Sequence, residues 1–194
     1  MHRQVHDIDV AARKHCREGA SMADRIVKNH PTEVPPMPEA LQRVLVEALN
    51  EGKDKLTEDG LLIPFTMLVA GGNLFIEQHP GNTPTECFNA AKHTVEGARG
   101  AIAYAFCYDG YVDTDEGTKD AVIAEGGTPG ADEGFALGYL YTPQDDASPK
   151  FATNPSYIGN APNFMERLKE SSEYPDVDED MSGNESPEPT DDEA

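Results

Sequence analysis

Residues 101–127 read AIAYAFCYDGYVDTDEGTKDAVIAEGG, and the alternation at their start decides the fold. Ile102, Tyr104, Phe106 and Tyr108 fall on one side of an extended chain, and Ala101, Ala103, Ala105 and Cys107 on the other, because strand side chains alternate with period two. GFALGYLYT (134–142) repeats the pattern, with Phe135, Leu137, Tyr139 and Tyr141 opposite Ala136, Gly138 and Leu140. TKDAVIAE (118–125) reads as a third strand between them. Asp109–Gly117 is then the expected connection between the first two strands. It belongs to a run of five carboxylates within twelve residues: Asp109, Asp113, Asp115, Glu116 and Asp120.

Upstream of this meander the apolar period changes to that of helices. Leu41, Val44, Leu45, Ala48 and Leu49 follow an i, i+3, i+4, i+7, i+8 stripe, one face of an α-helix. Pro38 stands at its expected first position, where the missing N–H has no intrahelical partner in any case. Asn50 and Gly52 suggest the end, although GKDKLTEDG would also extend it. LLIPFTMLVA and NLFIEQH, separated by Gly71-Gly72, read as a hairpin, with Pro64 marking an edge or a bulge because it donates no ladder hydrogen bond. Thr83-Pro84-Thr85-Glu86 reads as a capping box opening a second helix, along which Phe88, Ala91, Val95 and Ala98 share a face. NFMERLKE, with Phe164 and Leu168 one turn apart, predicts a short last helix.

The expected fold is α+β, an antiparallel five-stranded sheet in the order α-β-β-α-β-β-β-α. This order is similar in outline to profilin-like and roadblock-type domains, in which such a sheet carries helices on its faces. The likeness is one of topology and implies nothing about activity. Around the single domain at 36–170, residues 1–35 form a polar segment with a Pro-rich linker. There Ile8, Ala11, Ala12, Cys16, Met22 and Ile26 recur at loosely helical spacing, which suggests one or two weak helices. Met22 would itself serve as a translation start, which makes residues 1–21 dispensable in this reading. Residues 171–194 are acidic, Pro-containing and nearly without aliphatics, a composition too poor in apolar surface to offset ordering entropy, and they are expected to be disordered.

The net charge of −21 is distributed as −2 over residues 1–60, −8 over 61–142 and −11 over 143–194. Such a field repels phosphate backbones and anionic lipid, so neither nucleic acid nor membrane is an expected partner. A protein partner, in particular a basic one, is compatible with it. No apolar run reaches the roughly 18 residues of a membrane span. MHRQVHDIDVAARKHC lacks the apolar core of a secretory signal. Three cysteines (Cys16, Cys87, Cys107) cannot all pair, which argues for reduced thiols and a cytoplasmic location.

Three sets of residues invite chemistry. Asp109, Asp113 and Asp115 would hold a divalent cation if they converged, but the calcium-loop pattern fails at Gly117, Thr118 and Ala124, and a solvated turn accounts for the same residues. Cys87, in the first turn of the second helix, would be a nucleophile with its pKa lowered by the helix dipole, with His79 or His93 as base. The competing reading is that Cys87 is a small core hydrophobe. Tyr104, Tyr108, Tyr139 and Tyr141 occupy the bulky positions of two strands and together suggest a partly exposed binding surface. The favoured function is a non-enzymatic protein-binding or accessory module without a cofactor. The alternatives are a cysteine-dependent hydrolase or transferase, and a divalent-cation protein using the Asp109–Asp120 loop.

Overall fold

The computed structural model describes residues 26–27, 34–144 and 148–168. The weak helices expected over residues 8–26 and the tail 171–194 lie outside the described residues, except that Ile26 is in a strand rather than a helix. Over these residues the chain is α+β, with two helices and a mostly antiparallel sheet. Its order is β1 (Ile26–Val27), α1 (Glu39–Glu58), β2 (Phe65–Ala70), β3 (Asn73–Gln78), α2 (Pro84–Glu96), β4 (Ala101–Thr114), β5 (Gly117–Gly127), β6 (Glu133–Thr142), β7 (Lys150–Phe151) and β8 (Ser156–Pro162). Strands are adjacent in the order β3-β2-β4-β5-β6-β7. Alongside, β8 pairs with β6, and β1 pairs in parallel with the far end of β4. Three short strands are thus added to the five expected.

The small-residue side of β4 is where α1 lies. Leu41, Val44, Leu45, Ala48, Leu49 and Leu56 are buried with Ala103, Ala105, Cys107, Val122 and Ala124. Pro38 is the N-cap rather than the first helical residue, and its carbonyl accepts the Gln42 N–H. The helix does not stop at Gly52. A Cβ there would fall 2.7 Å from Cys107 Sγ and 2.9 Å from Val122 Cγ1. Gly52 therefore lets the helix axis approach the sheet, which outweighs the roughly 1 kcal/mol that glycine costs inside a helix.

The bulky side of β4 lies under α2. Tyr104, Phe106, Tyr108 and Val112 pack there with Ala91, Val95, Ile123, Ile158, Phe164 and Met165. Thr83 caps α2 by accepting the Glu86 N–H at 3.2 Å. Glu86 turns back to the Asn82 N–H (2.8 Å) rather than to that of Thr83, so the box closes one residue earlier than the sequence pattern suggests. Pro64 precedes β2 and accepts the His79 N–H, so no ladder position is lost. The expected last helix is instead a pair of tight turns over residues 163–168, Glu166 N–H to Asn163 and Leu168 N–H to Met165. Asn163 anchors them, its Nδ2 donating to Thr128 O and Ala131 O and its Oδ1 accepting the Met165 N–H.

Candidate functional site

Asp109–Gly117 is not a loop. The β4–β5 ladder runs without interruption from Tyr104 opposite Gly127 to Thr114 opposite Gly117, leaving Asp115 and Glu116 as a two-residue turn. Asp109 faces Val122 and Asp113 faces Thr118, so these two carboxylates are four strand positions apart, about 13 Å. Asp109 accepts the Tyr141 hydroxyl at 2.7 Å, and Asp113 accepts the Thr118 hydroxyl. Among the described residues no three His, Cys, Asp or Glu side chains gather to hold a metal ion. Strand pairing sets Asp109 and Asp113 apart along β4, with Asp115 in the turn, so the three do not form the cation site considered for them. The Asp-Gly composition hid the strand. Gly110 is needed where a Cβ would crowd the Tyr108 ring and Ile123 Cδ1, and Val112 is buried in the core.

Cys87, Ala91 and Val95 form the buried stripe of α2, while His93 is exposed. Cys87 and His93 therefore occupy different faces of the helix, about 120° apart. His79 is buried and shares a 2.9 Å hydrogen bond between Nε2 and Thr66 Oγ1. Burial lowers its pKa below the ordinary histidine value, with the Glu77 charge opposing. Cys107 lies wholly inside the α1 face. Burial, with the Asp109 charge beside it, pushes its thiol far above the usual range, so it stays a protonated packing group at neutral pH.

The four tyrosines do not form one surface. Register decides this: β5 separates β4 from β6, and Ile123 faces both Tyr108 and Gly138 while Val122 faces both Asp109 and Tyr139. Tyr104 and Tyr108 thus point to the α2 side, and Tyr139 and Tyr141 to the α1 side. All four are buried. Tyr104 donates to Pro162 O (3.2 Å), accepts the Phe164 N–H (2.9 Å) and stacks on the Phe164 ring at 5.4 Å. Burial raises its pKa, so the hydroxyl keeps the proton it donates. Tyr108 donates to the buried Glu125 at 3.0 Å, and Tyr139 and Phe151 lie under the ammonium of Lys53.

The exposed apolar surface lies elsewhere. Among the described residues β3 is an edge strand whose six residues are all exposed, with Leu74 at 40%, Phe75 at 54% and Ile76 at 51%. Its ladder with β2 is regular from Phe65–Gln78 to Ala70–Asn73, closed by Gly71 and Gly72 at φ +54° and +77°. Natural edges are usually blunted by lysine, proline or a bulge. NLFIEQ contains no lysine or proline, and its ladder has no bulge. Ile102 of β4 is also exposed, as are Val34, Leu61 and Tyr111. The Gly71-Gly72 turn marks β3 as a return strand, but its position at the edge follows from strand order, which residue pattern does not encode. Among the described residues no helix is long and apolar enough to cross a membrane. No protein-family model, curated protein or solved structure matches this chain.

Proposed function

We propose that the chain is a non-enzymatic protein-binding or accessory module whose working surface is the free edge of β3. The observation that carries this is the exposure of Leu74, Phe75 and Ile76 on an unbroken, unprotected edge strand. Such an edge offers a row of backbone donors and acceptors to an added strand, and the apolar side chains add affinity by leaving water. The profilin-like outline belongs to this proposal as architecture alone. The buried Cys87 and Cys107 support the cytoplasm as its compartment.

The test is a display library of extended peptides panned against the unmodified chain and against Ile76→Lys. A lysine on the edge disfavours strand addition while its exposed position leaves the fold intact. Recovery at least about tenfold lower on the variant, a difference of roughly 1.4 kcal/mol, supports the edge as the docking surface. Equal recovery on both chains overturns it.

A further inference from the structure

We infer that the strand received by this edge is β3 of a second copy of the same chain, paired antiparallel across a two-fold axis. This rests on the docking reading above and adds the identity of the partner.

The phase of the backbone comes first. Positive φ at both Gly71 and Gly72 makes a two-residue primed turn, whose closing pair, Ala70 and Asn73, is a hydrogen-bonded one. Hydrogen-bonded and non-hydrogen-bonded pairs then alternate. Asn73, Phe75 and Glu77 therefore direct their N–H and C=O groups to β2. Leu74, Ile76 and Gln78 direct theirs to the open edge.

An incoming antiparallel strand has to oppose outward groups to outward groups, and for a self-pair this leaves few registers. One sets Phe75 against Phe75 of the second copy. It aligns Leu74 with Ile76 in both directions and seats Asn73 opposite Glu77 at each end. The register one step along sets Ile76 on Ile76. It then opposes Leu74 to Gln78 and Phe75 to Glu77, wasting apolar contact on polar groups. Cross-strand matching of like with like selects the first.

Charge points the same way. Two copies each carrying −21 repel one another, so contact is favoured where charge is lowest. Glu77 is the single charged residue of β3, and in this register it meets the Asn73 amide rather than its own counterpart. An isologous contact also closes on itself and adds no third copy. The interface is smaller than the roughly 800 Å² per partner of a standard complex, so the association is weak, on the order of micromolar or above.

The experiment uses the full chain with Cys16→Ser, so that the remaining native thiols are the buried Cys87 and Cys107. Facing Cα atoms of a non-hydrogen-bonded pair stand about 4.5 Å apart, within disulfide reach. Phe75→Cys is expected to form a disulfide-linked dimer under mild oxidation. Asn73→Cys alone should not, since the two copies of residue 73 would lie about 13 Å apart, whereas mixing Asn73→Cys with Glu77→Cys should restore the cross-link. Sedimentation of the unsubstituted chain over about 10 to 500 µM should show a dimer fraction that rises with concentration and disappears in Ile76→Lys. A monomer throughout, or equal cross-linking at 73 and 75, overturns the second copy. If peptides are nonetheless lost from Ile76→Lys, the docking surface stands and the partner is a foreign strand. If self-association and peptide binding both ignore that substitution, both readings fall.

Discussion

At the β8 edge of the sheet the chain is tied down at every step, and at the β3 edge it is not. β8 begins after Pro155 and ends at Pro162, carries Gly159 at φ +127°, and shifts register against β6 between Ala136 and Leu137. Asn160 bridges Tyr157 and Glu133, and the turns after β8 fold back over the α2 side under Tyr104 and Asn163. β3 pairs without a bulge and exposes Leu74 and Ile76 on one face and Phe75 on the other, and its exit is held by His79 against Pro64 and Thr66. Proline, bulges and irregular backbone prevent a strand from accepting another. One edge is therefore finished and the other remains a template.

The sharpest way to break this contrast is at the lock. Tyr104→Ala removes a fully buried ring and both hydrogen bonds to the β8 exit, and is expected to cost about 3–5 kcal/mol by urea unfolding. A loss below about 1 kcal/mol would mean that the β8 edge is not fastened through Tyr104. Asn163→Ala removes the side-chain donor to Thr128 O and Ala131 O and should cost about 1–3 kcal/mol. The same variant should speed amide exchange in β8 and leave β3 unchanged.

His79 provides a smaller effect at the opposite edge. Its pKa is lowered in the folded chain, so the unfolded chain binds the proton first as pH falls. The stability contributed by neutral His79 is fully present above its ordinary value of about 6.5 and is lost progressively below it, down to the folded pKa. The urea midpoint should therefore decline from pH 7 towards 5.5, and His79→Asn should flatten that slope. An unchanged slope removes His79 from the account. Smallest of all, Ile76→Lys should alter monomer stability by no more than about 0.5 kcal/mol, since the side chain is half exposed. A thermal shift as large as that of Tyr104→Ala would show that β3 is a structural element rather than a free edge.

Much of the architecture is legible in residue spacing. The α1 stripe, the Thr83 cap, the Gly71-Gly72 hairpin and the alternation of β4 are all local patterns, and the structure has each of them. β7 and β8 escaped notice because SPKFATNPSYIGNAPNF is dominated by turn formers, and their strand conformation comes from pairing with β6. The candidate site was harder to see. The tyrosines stand out because they are large and periodic, yet among the described residues the consecutive exposed apolar run is Leu74, Phe75 and Ile76, in a stretch of ordinary appearance.

The division follows from the range of the interactions. Helix stripes, caps, primed turns and the existence of a two-faced strand depend on residues a few positions apart, and the sequence by itself determined them. That Tyr139 and Tyr104 lie on opposite faces, how far β4 runs beyond Tyr108, why Gly52 stands inside α1 and which strand is left at the edge depend on pairings between residues far apart in the chain. Register and strand order are set when whole elements bury their faces together, and only the tertiary structure decided them.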